Sequence, residues 1–127
     1  MKNRSWLLAL TAIVMGAFIA TGFTIRDIQQ DPGYPEDVSQ ILMNSCYGCH
    51  SADAKNEDSK QALNFSKWDE YKLTKKISLL SDIDEDLKEG VMPPEKIIKK
   101  YPEIALTEDQ VSLLREWTKK ETEKLMK

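Results

Sequence analysis

The chain has 127 residues, a formal net charge of −3, two cysteines and one histidine. Once an apolar N-terminal segment is set aside, about 100 residues remain, which is enough for one small domain with a marginal hydrophobic core. Because the chain is acidic overall and has no basic block interleaved with aromatic residues, we expect no nucleic-acid partner.

Residues 1–25 have the pattern of a signal peptide or a membrane anchor. Lys2 and Arg4 precede a long apolar run, which is the order of charged and hydrophobic regions in an export signal. Cleavage after Gly22 would release the remaining chain. Without cleavage, residues 6–25 reach about 20 residues, the length that spans a bilayer as a helix. Both alternatives stay open, and both predict a periplasmic or otherwise extracytoplasmic protein, which is anchored to the inner membrane if the segment is retained.

Residues 26–34 are polar, include a Pro-Gly turn and are predicted to link this segment to one domain over residues 35–127. The domain is expected to open with a helix that starts at Pro35 and runs into Cys46. Carboxylates in its first turn favour the positive end of the helix dipole. Its apolar residues recur at helical spacing, at Val38, Ile41 and Leu42.

The middle of the chain is predicted to hold a surface loop followed by two helices. Residues 52–62 are polar and without period, which is typical of a loop. A helix is expected to begin at Asn64 or Ser66, both of which are cap-forming residues. A second, short helix is predicted over residues 82–89, with Gly90 as its C-terminal stop.

Two prolines follow Met92, and they are predicted to forbid helix in the next stretch and to hold Met92 extended. Thr107 and Gln110 have the spacing of a capping box, which predicts a last helix that extends to about Lys124. No strand alternation of useful length and no internal repeat occurs. The sequence therefore predicts an all-α domain.

Both cysteines and the histidine lie within five positions, in the segment CYGCH. This is the C-x-x-C-H pattern of c-type haem attachment. Positions i, i+3 and i+4 share one side of a helical turn, so Cys46 and Cys49 are placed to bond two vinyl groups of one porphyrin while His50 ligates its iron. We therefore predict haem c, one per chain.

Other interpretations of CYGCH are weaker. A structural zinc site needs about four ligands, and the chain has no further cysteine or histidine. A thioredoxin-like redox pair belongs to a βαβ pattern, and no strands are predicted. A disulfide, or two buried thiols beside an unrelated histidine, remains the plain alternative.

A second axial ligand is predicted at Met92. With one histidine, the usual His/Met pair of cytochromes c needs a methionine. Met43 lies on the same helix as the motif, three residues before Cys46, and Met126 lies at the charged C-terminus. Met92 lies in GVMPP, where two prolines stiffen the loop and lower the entropic cost of placing a weak ligand. The alternative is that Met92 fills a gap in the core.

Aromatic residues form the third part of the predicted site. Trp68 and Tyr71 are predicted to wall the haem and to hydrogen-bond a buried acceptor, or alternatively to pack helix on helix. Trp117 is predicted to pack against the first helix. Tyr47, inside the motif, is expected to point outward.

The chain resembles small class I type cytochromes c, through CYGCH, GVMPP and the capped C-terminal helix with Trp117. More narrowly, ILMNSCYGCHS, LNFSKW, EGVMPP and LTEDQVSLLREW are similar to an exported, single-haem "haem-binding domain" family over roughly residues 38–119. The resemblance implies a small cytochrome c-like helical bundle around one covalently attached haem. It also implies attachment through Cys46, Cys49 and His50, and ligation by Met92.

These observations predict an exported c-type cytochrome that transfers single electrons to redox partner proteins. No enzyme is expected, because no histidine remains to act as a general base once His50 binds iron. The alternative is a haem-based sensor or gas-binding module in which the Met92 ligand is weak or absent. The lysines of the later helices are either a docking patch for an acidic partner or solvated helix faces.

Overall fold

The computed structural model describes residues 33–127, which form α-helices and 3₁₀ segments and contain no strand. The all-α prediction is confirmed. The helices are α1 (Glu36–Ser45), α2 (Glu57–Ala62), α3 (Leu73–Glu89), α4 (Glu95–Lys100) and α5 (Glu108–Leu125), with 3₁₀ segments at Phe65–Glu70 and Pro102–Ile104.

The N-terminal predictions fall largely beyond this part of the chain. The signal or anchor over residues 1–25, its span over residues 6–25 and most of the linker over residues 26–34 lie outside the described residues. Of the helices within residues 33–127, none combines the length and the apolar character needed to cross a membrane.

The first and last helices form as the sequence predicts. α1 follows Pro35 and buries one apolar stripe in the core. α5 opens with the predicted capping box, in which the Thr107 hydroxyl accepts the Gln110 amide at 3.2 Å and the Gln110 side chain accepts the Thr107 amide at 3.0 Å. These reciprocal bonds satisfy two amides that a helix N-terminus leaves unpaired. α5 packs along α3, and both helices contribute buried leucines to the core.

α3 is a single helix of 17 residues where the sequence predicts two. The break predicted before residue 82 was wrong, because Leu80 and Leu87 lie two turns apart on one face and both are buried. Burial of that continuous apolar face outweighs the weak helix preference of Ser and Asp at the middle. The stop at Gly90 is confirmed, since Gly90 has a left-handed φ of 68° that favours glycine.

Two short helices occur where none is predicted. α2 lies inside the expected loop and is capped by Asn56, whose side chain accepts the Ser59 amide at 2.9 Å. α4 follows Pro94 directly, because proline has no place inside a helix but suits the position before one. Neither helix has a fully buried residue. Their sequences accordingly lack the apolar periodicity that predicts a helix.

An aromatic cluster fills the core beside α1 and α5. Trp68 is 4% exposed, and its ring lies 6.3 Å from the rings of both Phe65 and Trp117. Trp117 shares this core with the apolar residues of α1, as predicted. Tyr34 contacts the cluster from the N-terminal side. The expectation that Tyr47 points outward was wrong, since its ring stacks on Phe65 at 5.6 Å with an interplanar angle of 9°.

Candidate cofactor site

His50 and Met92 line one cavity of about 380 Å³. Ala62 at the end of α2 and Leu63 after it line the cavity together with His50, and α3 contributes six of the lining residues. The lining is mainly apolar with a few polar groups, which is the usual character of a cofactor pocket. The other lining residues are Ala62, Leu63, Leu79, Asp82, Ile83, Glu85, Asp86 and Leu87. The fold therefore brings the two predicted axial ligands to the same cavity.

The CYGCH segment forms the turn that the predicted chemistry needs. After α1 ends, the amides of Cys49 and His50 both donate to the carbonyl of Cys46, at 3.1 and 2.9 Å. These bonds hold the two cysteines and the histidine in one helical turn. Gly48 is exposed, and nothing lies within 4 Å of the position where its Cβ would be. The turn is therefore open to solvent at Gly48.

The His50 ring is oriented by two backbone carbonyls. Its Nδ1 lies 3.0 Å from the carbonyl oxygen of Ser59 and 3.1 Å from that of Leu63. Because a carbonyl oxygen only accepts, Nδ1 carries the hydrogen. In the neutral imidazole, the lone pair then resides on Nε2, which is the arrangement found in metal-binding histidines. His50 is thus prepared to bind a metal through Nε2.

The two thiols are free and half-buried, and neither lines the cavity. Burial, and to a smaller extent electrostatic repulsion from the nearby Cys49, raises the pKa of Cys46 to about 12 from an ordinary value of 9.0. The thiolate is the reactive form of cysteine. Cys46 is therefore kept in its unreactive thiol form at neutral pH.

Met92 lies on a loop that is tied down at both ends. Before it, Gly90 ends α3 and the Val91 amide donates to the carbonyl of Asp86 at 3.1 Å. After it, Pro93 and Pro94 lead into α4. The Met92 side chain is 39% exposed, so the core does not enclose it. The core-filling alternative does not describe Met92, and its role as a ligand stays a prediction.

Three carboxylates at the cavity were not singled out from the sequence. Asp82, Glu85 and Asp86 lie at i, i+3 and i+4 of α3 and all line the cavity. Burial, with repulsion from Asp82 and Glu85, raises the pKa of Asp86 above its ordinary value, and attraction to His50 opposes the shift. The spacing was visible in the sequence as DIDED, but that segment was assigned to the start of a separate short helix.

Trp68 and Tyr71 do not line the cavity that holds His50 and Met92. Trp68 is buried in the aromatic cluster, and Tyr71 packs edge-on against it. The Tyr71 hydroxyl accepts the backbone amide of Asn64 at 3.0 Å. The helix-packing alternative describes these positions, and haem contact by either residue stays a prediction.

Comparisons with known proteins give one match. A family model described as "Haem-binding domain" matches residues 54–120, which include Trp68, Tyr71 and Met92 and begin just after the CYGCH motif. A comparison with curated proteins finds no match, and neither does a comparison with solved structures.

Proposed function

The chain belongs to the haem-binding domain family, and from that premise we propose that it carries one covalently attached haem c and transfers single electrons. In this proposal Cys46 and Cys49 form the thioether bonds, and His50 and Met92 are the axial ligands. The observation that carries the proposal is the shared cavity of His50 and Met92, together with the bonding of the His50 ring.

The residues at the cavity suit this group chemically. An imidazole with its Nδ1 hydrogen already donated offers Nε2 to iron, and a thioether is the usual second ligand in cytochromes c. Apolar side chains such as Leu79 and Leu87 exclude water from a porphyrin face. The helical turn that holds Cys46, Cys49 and His50 together supports covalent attachment beside the ligand. Donor set, lining and turn therefore fit a haem c.

A bound haem supplies the one-electron Fe(II)/Fe(III) couple, and the chain sets the conditions for its use. The Met92 thioether favours the reduced state relative to a second imidazole. The two carbonyls at His50 Nδ1 act in the opposite direction, because they make the imidazole a stronger donor. With His50 and Met92 as ligands in both oxidation states, little rearrangement would accompany electron exchange.

The exposure of Met92 supports one rival function. A methionine that is 39% exposed on a loop is easier to displace than one enclosed by the core. A weak or absent Met92 ligand would suit a haem-based sensor or gas-binding module. We favour the electron carrier because the loop is stiffened by Pro93 and Pro94 and anchored by the Val91 amide.

We also propose that the domain works outside the cytoplasm with redox partner proteins. The proposal rests on the basic and apolar pattern of residues 1–25, which is the pattern of an export signal. Whether residues 1–25 are cleaved decides between a released and an inner-membrane-anchored form.

The test uses the exported chain made together with a cytochrome-assembly pathway. Intact mass should show the addition of one haem, and the oxidised protein should show a weak far-red band from sulfur-to-iron charge transfer. Met92→Ala should remove that band and let the reduced protein bind carbon monoxide readily. Met43→Ala, at an exposed methionine of α1, is the matched control and should change neither. A colourless protein with two titratable thiols would refute haem attachment, and ready carbon monoxide binding by the unaltered protein would favour the sensor.

A further inference from the structure

A tetrapeptide next to the cavity holds the chain that follows the motif histidine. Residues 63–66, with the sequence LNFS, are here named the clasp. The clasp makes three hydrogen bonds to residues 50–52, and each uses a different residue of the clasp. The bonds join His50 Nδ1 to the Leu63 carbonyl at 3.1 Å, the Phe65 amide to the His50 carbonyl at 2.8 Å, and the Ala52 amide to the Ser66 hydroxyl at 3.1 Å.

The clasp is itself held by a buried asparagine. Asn64 is 5% exposed, and its side-chain oxygen accepts the Ser66 amide at 3.0 Å. Its backbone amide donates to the Tyr71 hydroxyl at 3.0 Å. A buried polar residue is costly unless it is hydrogen-bonded, and both of these groups of Asn64 have partners. The two hydrogen bonds of Asn64 therefore hold the backbone of the clasp in place.

One peptide group connects Tyr71 to His50. The carbonyl of Leu63 and the amide of Asn64 belong to the same planar peptide unit. Its N–H donates to the Tyr71 hydroxyl, and its oxygen accepts from His50 Nδ1. A hydrogen bond at one end of a peptide fixes its orientation and polarises the bond at its other end. The Tyr71 hydroxyl thus acts on the His50 ring through this single peptide.

We propose that Tyr71 and Asn64 are positioning residues for the axial ligand His50. The proposal rests on the proposed function in which His50 binds the iron. It gives Tyr71 a role different from the predicted haem contact: the hydroxyl orients the Leu63 carbonyl, and the carbonyl orients the ring. In this proposal, the residues LNFS of the family-like segment LNFSKW hold the backbone and the ring of His50.

The expected effect follows from the direction of these bonds. Removal of the Tyr71 hydroxyl leaves the buried Asn64 amide without its acceptor and frees the peptide to turn. The bond to His50 Nδ1 then weakens, and the imidazole becomes a poorer donor to iron. A poorer donor stabilises Fe(III) less, so the reduction potential shifts in the positive direction.

The test compares Tyr71→Phe with Tyr101→Phe in the full, haem-loaded chain. Tyr101 is an exposed tyrosine beside α4 and serves as the matched control. In Tyr71→Phe the reduction potential should move positive. Solvent exchange of the His50 Nδ1 hydrogen, followed by NMR, should speed up roughly two- to ten-fold, the range for loss of one ordinary hydrogen bond. Tyr101→Phe should change neither quantity. A purely structural Tyr71 would lower stability but leave the potential and the exchange rate unchanged, and that result would overturn the proposal.

Two further measurements keep the outcome clear. Ser66→Ala removes a hydroxyl at the exposed edge of the clasp. Ser66→Ala should produce a smaller positive shift of the reduction potential than Tyr71→Phe. If Tyr71→Phe does not fold, an unchanged potential in Ser66→Ala would count against the role of the clasp. Exchange of the Nδ1 hydrogen is also measured in the haem-free chain. If the unaltered protein takes up no haem, the proposed function fails, while faster exchange in haem-free Tyr71→Phe would still support the clasp.

Discussion

Two parts of the cavity are held by different means: the His50 wall, which consists of His50, Ala62 and Leu63, and the Met92 wall, which is the loop of residues 90–94 with Met92 at the cavity. On the His50 side, directional hydrogen bonds fix both the ring and the backbone, through the carbonyls of Ser59 and Leu63 and the amide of Phe65. On the Met92 side, a left-handed glycine and two prolines fix the backbone, and the thioether is 39% exposed. One wall depends on bonds to the side chain, and the other on the stiffness of the loop.

This difference matches the strengths of the two predicted ligands. Imidazole is the stronger donor, and hydrogen bonds at Nδ1 tune it over a continuous range. A thioether has no hydrogen to donate, so the protein controls it only through placement and solvent access. We therefore expect substitutions on the His50 wall to change stability and potential, and substitutions on the Met92 wall to change ligand exchange.

Among the substitutions near the cavity, Phe65→Ala should cause the largest loss of stability. Phe65 is 1% exposed, stacks on Tyr47 and meets the His50 ring edge-on. Its removal leaves a cavity behind the His50 wall and should lower the free energy of unfolding by about 3–5 kcal/mol. Denaturant unfolding of the haem-free chain measures this loss. Leu73→Ala, at a residue that is 52% exposed, should stay within about 0.5 kcal/mol; equal losses would mean that the His50 wall is not part of the core.

The next largest effect concerns the two thiols in the haem-free chain. Burial raises the pKa of Cys46 to about 12, so its thiolate is scarce at pH 8. Each unit of pKa lowers the thiolate population about ten-fold. Alkylation followed by peptide mass analysis should therefore label Cys49 well before Cys46. Equal labelling rates in the folded chain would contradict the burial of Cys46, whereas equal rates in denaturant are expected and serve as the control.

Met92→Ala should have a small effect on the stability of the haem-free chain. Because the side chain is partly exposed and lies outside the buried core, we expect a loss of less than about 1 kcal/mol. The same substitution should abolish the sulfur-dependent band of the haem-loaded protein. Thermal or denaturant unfolding of Met92→Ala and Phe65→Ala, side by side, measures how much stability each substitution removes. A loss comparable to that of Phe65→Ala would show that Met92 is a core residue.

The smallest expected effect concerns the contribution of the Asp86 charge to stability. Burial and two neighbouring carboxylates raise the folded-state pKa of Asp86 above 3.8. The ionised Asp86 carboxylate therefore destabilises the folded chain, fully at pH values above the raised pKa and not at all below pH 3.8. Asp86→Asn should increase stability at neutral pH by less than about 1 kcal/mol, and the gain should disappear in acid.

Asp84 provides the matched control with the opposite sign. A hydrogen bond from Arg115 at 2.8 Å lowers the pKa of Asp84, so its charge stabilises the fold above 3.8 and the benefit is lost as pH falls through the lowered pKa. Asp84→Asn should therefore reduce stability slightly at neutral pH. Unfolding curves from pH 3 to pH 7 compare the two variants, and a loss of stability in Asp86→Asn at neutral pH would contradict the burial penalty.

The helices with strong local signals were predictable from the sequence. α1 has an apolar stripe, and α5 has the Thr107 capping box. Gly90 ended α3 as expected, but the helix was divided in two because the acidic residues from Asp82 onward resemble a helix start. Only the tertiary burial of Leu80 and Leu87 shows that the helix continues. α2 and α4 have no buried face, so nothing in their periodicity distinguishes them from loops.

The candidate donors could be singled out from the sequence, whereas the groups that support them could not. CYGCH and GVMPP contain their own signals, since each combines a ligand type with a specific spacing or a stiff backbone. The supports of His50 are carbonyls, which every residue has, and they come from an unpredicted helix and from the clasp. Asn64 was considered as a helix cap, and it does accept the Ser66 amide. Its second bond, to Tyr71, depends on a fold that local sequence does not specify.

The bonds that orient His50 have a consequence for how this site tolerates evolutionary change. Both acceptors at Nδ1 belong to the main chain of Ser59 and Leu63, so the two hydrogen bonds themselves do not depend on the side-chain chemistry at these positions. What the contact requires is the path of the backbone, which brings both carbonyl oxygens to the ring.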